Sequence, residues 1–425
     1  MSAERRAAVS PTVARGAGIR ELVVEQLVRT VFQPIVDLDT GAAIGYEALS
    51  RGPAGGGLES PAALFGAARR SGLSRELDWV CRACALRAAL AAEIHPTQAI
   101  FINVEPSSLT REPPAWLSEL AELGRSRLTI VHEITERAIA GAPAELLAVT
   151  ARMREQGTLL AVDDVGVDPG SLALLPFLAP ELIKLDIDVT RANGLSATAR
   201  TATAVNAYAE RSGAAVVAEG IETPAHRETA LALGADLGQG WLFGRPGPLP
   251  PEAALAAPRP LKVGLRRDPG SVGTPFELLS ALRPVRRAGK GLLLRMSAVI
   301  EEQARTEGDA VVLLSTFQEA GFFTAATRRR YRRLAEHAAL VGALGVGLAG
   351  SPEPGVRGAS LSRAESLRDE WDVCLVGPYI AAAFAARDLG DGGDDLARRF
   401  DFVISHDREH VINAAQSLML RLTAG

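Results

Sequence analysis

Short apolar runs alternate with longer amphipathic segments between about residue 20 and residue 246. The short runs are typical of buried strands, and the longer segments repeat apolar positions with the period of a helix. Strands are predicted at 31–38, 43–50, 98–104, 128–133, 158–162, 182–186, 214–218 and 237–243. Helices are predicted at 61–70, 75–92, 144–156, 201–211 and 224–233. Strand and helix in alternation over this length predict an α/β fold, a (β/α)8 TIM-like barrel rather than an open sheet.

A proline-rich stretch separates this region from a second one. Residues 246–260 contain six prolines, which remove backbone donors and stiffen the chain. Beyond them, strands are predicted at 311–317, 341–348, 373–376 and 402–404. We therefore expect four segments: a disordered lead-in at 1–20, a barrel at 21–246, a linker at 247–270 and a smaller α/β domain at 271–425.

Composition narrows the class of protein. Hydrophobic residues make up 47% of the chain and charged residues 23%, with a net charge of −4 and three cysteines. These values are typical of a globular protein in a reducing compartment, without the overall positive field that attracts nucleic acid. No run reaches the ~20 apolar residues that cross a bilayer. We expect a cytoplasmic protein with no membrane span and no nucleic-acid partner.

Polar side chains recur at the carboxyl ends of the predicted barrel strands. They are Glu47, Asn103, Glu133, Asp163, Asp164, Lys184, Asp186, Glu219 and Gln239. In a (β/α) barrel these ends converge on one face, where so many carboxylates repel one another unless cations neutralise them. Oxygen ligands favour Mg²⁺ or Mn²⁺ over zinc. Paired acids beside a lysine are suited to hydrolysis with two metal ions.

The motifs around these residues resemble the EAL family of cyclic di-GMP phosphodiesterases. The signature tripeptide is Glu47-Ala48-Leu49, and a single tripeptide would be weak support. The other blocks follow in the order of the family: 32–35 before the tripeptide, then 101–104, 133–136, 163–166, 184–186, 218–222 and 239–246. The ordered set, spread over more than 200 residues, makes the resemblance specific.

The resemblance implies a role for each matching residue. Four residues would hold one metal ion: Glu47, Asn103, Glu133 and Asp163. Asp163 would bridge to a second ion, which Asp164 and Glu219 would complete. Lys184 and Gln239 would position the attacking water, with Asp186 orienting the lysine. Gln33 and Arg51 would contact the ligand, and Glu136 and Glu222 would support the loop after Asp164.

The implied reaction opens one phosphodiester of cyclic di-GMP to give linear pGpG with two Mg²⁺ or Mn²⁺ ions, and Ca²⁺ is expected to inhibit it.

One segment departs from the family. The loop at 165–171 reads Val-Gly-Val-Asp-Pro-Gly-Ser and lacks the family's aromatic residues. In the family this loop supports the second metal and dimerisation, so the sequence leaves open whether the protein forms a homodimer. It also leaves open an alternative function, that of a cyclic di-GMP receptor with little or no hydrolysis.

The region after residue 271 resembles the DICT sensory domain. The resemblance rests on Phe317-Gln318, Trp371-Asp372-Val373, Gly377-Pro378, 385–388 and 404–408. It implies a regulatory input and leaves signalling-protein partners open, without naming a ligand.

Several other motifs favour structural roles. Cys81 and Cys84 lie inside a predicted helix, which favours small helical residues over redox or metal chemistry. The glycines at 345–350 match a dinucleotide fingerprint, but a proline-rich segment follows where that fingerprint needs a helix. Asp407 lies between His406 and His410. Its presence favours a helix cap at this position over a metal site formed by the two histidines.

An arginine-rich run and two tryptophans each have a structural and a functional interpretation. The arginine-rich run at 328–333 favours a solvated helix surface, with an acidic partner or the ligand as the alternative. Trp79 and Trp241 are predicted to be core residues.

Overall fold

The structure, a computed structural model, describes residues 17–109, 111–135, 143–168, 170–191, 195–250, 261, 264, 273–391 and 395–422. Most of the predicted lead-in and most of the predicted linker lie outside these residues. Helix α1 begins at Ile19, within the last two positions of the predicted lead-in.

The first eight strands form a closed barrel in sequence order. They are β1 (Arg29–Asp37), β2 (Ala43–Arg51), β3 (Ala99–Asn103), β4 (Thr129–Thr135), β5 (Leu159–Val165), β6 (Leu182–Leu185), β7 (Ala215–Ala218) and β8 (Leu237–Gln239). All eight predicted strands of this region are therefore present and the barrel is confirmed, but β8 ends at Gln239, four residues before the predicted end at residue 243.

One strand runs against the direction expected for a uniformly parallel barrel. Strand β1 is antiparallel to both of its neighbours, β2 and β8, whereas β2 and β3, β3 and β4, and β7 and β8 pair in parallel. Only residues 38–42 join β1 to β2. A parallel connection needs a crossover of a dozen or more residues, so this short turn forces a hairpin.

Helices accompany the barrel strands. They are α1 (Ile19–Val24), α2 (Pro61–Arg70), α3 (Ser74–Ala91), α4 (Pro106–Leu109), α5 (Ala115–Arg127), α6 (Pro143–Glu155), α7 (Ser171–Leu178), α8 (Ile187–Thr190), α9 (Leu195–Ser212) and α10 (Pro224–Ala232). Leu86 and Ala89 of α3 pack in one apolar cluster with Tyr46 of β2 and Ile100 of β3. This packing holds the strand that carries Glu47 against its neighbour.

A glycine sets the close approach of β2 and β3. Gly45 pairs with Ala99, and a Cβ atom at Gly45 would lie 2.4 Å from the carbonyl oxygen of Ala99. Only glycine fits there without moving backbone, because that distance is far below van der Waals contact. Two residues later, Glu47 points to the same side of the strand as Gly45.

The second domain is built on a seven-stranded sheet with the order β12-β11-β10-β13-β14-β15-β9. Its strands are β9 (Arg286–Gly289), β10 (Val312–Glu319), β11 (Leu340–Val346), β12 (Val356–Ser360), β13 (Glu370–Val376), β14 (Ala381–Asp388) and β15 (Arg399–Ser405). Its helices are α11 (Pro275–Ser280), α12 (Lys290–Glu307), α13 (Ala325–Ala335) and α14 (Arg408–Met419).

Four strands of this sheet are confirmed predictions, and three, β9, β12 and β14, were not predicted. Strand β14 reads Ala-Ala-Ala-Phe-Ala-Ala-Arg-Asp, and alanine has the highest helix propensity. Its pairing with both β13 and β15 buries the alanines between neighbours, and this tertiary environment overrides the local preference.

A buried acid ties the beginning of the second domain to its sheet. The carboxylate of Glu370 accepts hydrogen bonds from the Thr274 hydroxyl at 2.6 Å and from the Phe276 backbone N–H at 3.0 Å. Arg387 donates to the same carboxylate at 3.0 Å, and its guanidinium lies 4.5 Å from the centroid of the Phe276 ring. The charge of Glu370 is thus compensated, as burial of a carboxylate requires.

Asp372 lies two residues further along β13, and its carboxylate charge is compensated by fewer hydrogen-bond donors. Its side chain is 0% exposed and accepts one hydrogen bond, from the Thr316 hydroxyl at 3.0 Å. Burial raises the pKa of the Asp372 carboxyl well above its usual range, and the nearby charge of Glu370 raises it further. The neutral acid is therefore the form that suits the folded protein.

We predict that Asp372→Asn makes the stability of the protein less sensitive to rising pH. Because the pKa of Asp372 is higher in the folded than in the unfolded state, its contribution to stability is lost as pH rises through the folded-state value. Asparagine keeps the acceptor for Thr316 and cannot ionise. Calorimetric melting of both proteins from about pH 5 to pH 8 should give a shallower fall in melting temperature for the variant. Equal slopes would contradict the assignment.

Candidate functional site

Glu47 is the centre of a buried hydrogen-bond network in the barrel. Its Oε1 accepts a hydrogen bond from Asn103 Nδ2 at 2.9 Å, and its Oε2 accepts one from Gln239 Nε2 at 2.6 Å. These contacts join β2 to β3 and to β8. They bring together three of the residues predicted for the site.

Gln33 extends this network to β1. Its Oε1 accepts from Gln239 Nε2 at 3.3 Å, and its Nε2 donates to the Gly244 carbonyl at 3.1 Å. The register places Gln33 opposite Glu47. The antiparallel β1 therefore supplies a polar side chain to the network at the position where the barrel closes.

Three carboxylates form a second cluster. Asp163 on β5, Asp164 beside it and Glu219 directly after β7 each offer an oxygen, and these oxygens all lie within 4.8 Å of one another. Asp163 is buried, and the other two are half-buried. Asp164 has a φ of 59°, a left-handed conformation that non-glycine residues rarely adopt. Such backbone strain concentrates at functional sites, and here it turns the chain between two adjacent acids.

Glu133 and Lys184 are charged residues within barrel strands. Glu133 on β4 is 1% exposed, and Lys184 on β6 is 0% exposed. Lysine and glutamate are almost never buried to this degree without a compensating partner. Glu133 also pairs in register with Asn103, which aligns it with the Glu47 network across the parallel β3–β4 pair.

Arg51 occupies the last position of β2. Partial burial lowers the pKa of its guanidinium, and the attraction of Glu47 opposes that effect. Its Nη1 donates to the Ser50 carbonyl at 2.9 Å. The side chain is thus a half-buried cation within electrostatic range of Glu47.

Asp186 caps a short helix. Its Oδ1 accepts a hydrogen bond from the Asp188 backbone N–H at 2.8 Å at the start of α8, and its own backbone N–H donates to the Val165 carbonyl at 3.1 Å. Asp186 directly follows β6, the strand that carries Lys184. It therefore links the end of this strand to Val165, where the loop begins.

The loop after Asp164 is compact in its described part. Asp168 Oδ1 accepts from the Gly170 N–H at 2.9 Å, and the Ser171 hydroxyl donates to the Asp168 carbonyl at 2.8 Å. Gly166 has a φ of 112°, and a Cβ atom there would lie 2.5 Å from Val189 Cγ2 on α8. The sequence that departs from the family thus forms an aspartate-centred turn packed against α8.

Glu136 and Glu222 are the two residues predicted to support this loop, and the structure describes only Glu222. Glu136 lies outside the described residues. Glu222 is half-buried in the segment between β7 and α10, where its backbone N–H donates to His226 Nδ1 at 3.3 Å. The supporting role of both residues stays a prediction.

Asp78 is a buried acid whose role the sequence did not indicate. Its carboxylate accepts hydrogen bonds from the Glu105 backbone N–H at 2.9 Å and the Ser108 hydroxyl at 2.6 Å. Burial raises the pKa of Asp78, and Arg82, 3.7 Å away, opposes the shift. Asp78 therefore fixes the segment that follows Asn103. No spacing in the sequence distinguishes it from the other charged positions of α3.

The prediction that Trp241 belongs to the core is wrong. Its side chain is 52% exposed, and the guanidinium of Arg245 lies 4.0 Å from its ring centroid. Trp241 follows Gln239 by two residues and therefore presents an aromatic surface near the end of β8. Trp79 on α3 is half-buried.

Three structural interpretations of other motifs are confirmed. Cys81 and Cys84 are free thiols within α3, and burial raises the pKa of Cys81 to about 12, which makes it unreactive. Strand β12, rather than a helix, follows the glycines at 345–350. Asp407 accepts from the backbone N–H groups of Glu409 and His410, as a helix cap does.

The donor chemistry of the two clusters fits a hard divalent cation. The side chains offer carboxylate oxygens, and Asn103, which uses its Nδ2 on Glu47, retains its amide oxygen as a further ligand. Mg²⁺ and Mn²⁺ favour such all-oxygen sets. The spacing of Asp163, Asp164 and Glu219 matches that of groups able to share an ion.

No helix in the described part of the chain is long and apolar enough to cross a membrane.

The two domains of the chain match two different families of known proteins. A family model described as "EAL domain" matches residues 18–246, and a model described as "Sensory domain in DIguanylate Cyclases and Two-component system", the DICT domain, matches residues 277–389. A cyclic di-GMP phosphodiesterase of Pseudomonas aeruginosa is 36% identical over 224 residues, which cover 51% of this chain and 38% of that protein.

Two further proteins match the same region. The cyclic di-GMP phosphodiesterase RocR of Pseudomonas aeruginosa is 33% identical over 223 residues, 51% of this chain and 57% of RocR. A structure of Klebsiella pneumoniae BlrP1 in complex with manganese and cyclic di-GMP is 28% identical, with a TM-score of 0.47 over 52% of this chain and 56% of that one.

The matched region spans only 38% and 57% of the two curated relatives. The family match itself covers more than half of this chain, from residue 18, directly before α1, to residue 246. The chain belongs to the EAL domain family, and its second domain is a DICT domain.

Proposed function

We propose that the barrel hydrolyses one phosphodiester bond of cyclic di-GMP to linear pGpG with two Mg²⁺ or Mn²⁺ ions. The observation that carries this proposal is the cluster of Asp163, Asp164 and Glu219, whose oxygens lie within 4.8 Å of one another. Adjacent acids at this spacing repel one another unless cations compensate their charge. The names of the relatives, cyclic di-GMP phosphodiesterases, supply the substrate class.

The proposal divides the acids between two ions. Glu47, Asn103, Glu133 and Asp163 would hold the first ion, and Asp163 would share the second with Asp164 and Glu219. Bound there, the ions would polarise the phosphoryl oxygens and make an attacking water more acidic. The network around Glu47 keeps its carboxylate in one orientation, so that little reorganisation is needed when ligands bind.

Lys184 and Gln239 orient the attacking water and stabilise developing charge in this proposal. The Oε1 atom of Gln239 is buried and accepts no hydrogen bond from any group that the structure describes, whereas its Nε2 donates to Glu47 and Gln33. An acceptor held in this way can fix one proton of a water molecule. Asp186 assists Lys184 indirectly by fixing the backbone beyond it.

Arg51 and Gln33 position the substrate. Arg51 is a half-buried cation at the end of β2, which suits a phosphate oxygen because guanidinium groups form charge-assisted hydrogen bonds with phosphates. Gln33 is held by Gly244 and Gln239. Glu222 and Glu136 support the loop after Asp164 in the proposal.

The compact loop after Asp164 favours a second candidate function. Its aspartate-centred turn replaces the aromatic loop of the family and packs on α8 through Gly166. If this turn holds Asp164 in a position unsuited to the second ion, the barrel would bind cyclic di-GMP without efficient hydrolysis and act as a receptor.

Incubation of the purified chain with cyclic di-GMP and Mg²⁺ or Mn²⁺ separates the two functions. The phosphodiesterase should produce pGpG, detected by chromatography, and EDTA should abolish the product. Ca²⁺ should inhibit, because it prefers more ligands and longer bonds than Mg²⁺. Unchanged cyclic di-GMP together with calorimetric binding would favour the receptor, and product that persists in EDTA would contradict the metal sites.

We predict that Glu47→Gln lowers hydrolysis by at least the ~100-fold that loss of an outer-shell partner can cost in metal enzymes. Glutamine keeps the shape of the side chain but removes its charge. The matched control is Glu25→Gln, because Glu25 is exposed in the segment before β1 and should leave the rate unchanged. Initial rates at saturating Mn²⁺ test both variants. A Glu47→Gln rate close to that of the control would refute the role of Glu47.

Substitution of Lys184 tests a different role. Lys184→Met preserves the length of a fully buried side chain and removes its charge. We expect hydrolysis to fall by about 100-fold or more, as when one preorganised donor is lost, while Mn²⁺ affinity stays within about threefold. Calorimetric Mn²⁺ titration beside the rate assay measures both quantities. A parallel loss of metal affinity would show that Lys184 supports the metal site instead.

A further inference from the structure

The second domain contains a cavity of about 780 Å³ that the proposed catalytic function does not use. Helices α12 and α13 and strands β10 and β13 contribute to its wall. Binding sites for small molecules usually have volumes of about 300–1,000 Å³ and combine aromatic surfaces with a few polar groups. Both features are present here.

The cavity carries an excess of positive charge. Five cationic and three acidic side chains line it, and each acid is paired: Asp395 with Lys290, Glu302 with Arg305 and Glu301 with Arg330. Arg329 and Arg333 also line the cavity, and neither has an ion-pair partner among the described residues. These two arginines lie four positions apart on α13 and therefore on one face of the helix.

Aromatic rings form the other part of the wall. Phe317, Phe322, Trp371 and Phe400 line the cavity. Trp371 packs edge-to-face on Phe400 with ring centroids 6.0 Å apart, and Phe317 packs on Phe323 at 4.8 Å. Contacts of this kind fix the rings from behind, so a planar ligand could contact them with little loss of side-chain entropy.

The backbone of β10 is irregular where it meets the cavity. Its register with β11 shifts between Thr316 and Glu319, and Gln318 within this bulge has a φ of 54°. Gln318 lines the cavity. Bulges and left-handed non-glycine residues both concentrate next to functional sites, and this irregularity is independent of the charge pattern.

We propose that this cavity is a binding site for a planar aromatic anion. Arg329 and Arg333 bind the anionic group by charge-assisted hydrogen bonds, and Phe317 and Trp371 contact the ring. Two sources share this chemistry, a nucleotide with its base and phosphate and an aryl carboxylate. The acids of the cavity, each neutralised by its own cation, do not oppose such a ligand.

Calorimetric titration of the chain, with both domains present, with GMP and with indole-3-acetate, in EDTA, distinguishes the two sources. The anion that binds identifies the source, and its uncharged analogue, guanosine or indole-3-acetamide, should bind about tenfold or more weakly because a charge-assisted contact is lost. Binding should also change the tryptophan fluorescence, and Trp371→Phe should remove that change. Failure of both anions to bind at millimolar concentration would overturn the proposal.

A matched pair of substitutions locates the site on α13. Arg333→Gln should weaken binding of the anion by about tenfold. Arg332→Gln makes the same change of charge at the neighbouring position, where the side chain lies 3.9 Å from Glu353 and does not line the cavity, and it should leave binding unchanged. Equal affinities for the two variants, whether both weakened or both normal, would place the ligand elsewhere, including in the barrel.

Discussion

The orientation of the Glu47 carboxylate depends on hydrogen bonds from β3 and β8, which β1 supports through the contact of Gln33 with Gln239, and the rest of the network depends on that orientation. Asn103, Gln239 and Gln33 meet around it through hydrogen bonds of 2.6–3.3 Å. A buried carboxylate is costly unless such donors compensate it. The same contacts that lower this cost also fix the position of the oxygens, so stability and preorganisation of the site have one origin.

Much of the barrel could be predicted from the sequence because its physical signals are local. Apolar runs revealed all eight strands, and the polar residues that end them include those that meet around Glu47 and in the Asp163 cluster. The direction of β1 was harder to predict, since it depends on the turn at 38–42 rather than on the strand. Asp78 was not predicted because its partners, Glu105 and Ser108, lie in a segment brought to it only by folding.

The second domain and the end of the barrel were less predictable. Strand β14 consists largely of alanine, whose local preference is helical, and its pairing on both sides overrides that preference. The exposure of Trp241 was missed because an apolar neighbourhood in sequence does not reveal which side of the chain faces solvent. The pairing of β14 is decided by the strands on either side of it, β13 and β15, so no short window of sequence contains it.

The closure of the barrel by β1 and β8 has a consequence for the order in which the protein is made. Gln239 and Glu47 are separated by 192 residues, which a ribosome adds in on the order of 10–40 s at about 5–20 residues per second. Throughout that interval the nascent chain carries Glu47 without Gln239, so the donor to its Oε2 is absent and water must solvate that oxygen. The emerging chain therefore lacks the complete network around Glu47, which is assembled only when the last barrel strand leaves the ribosome.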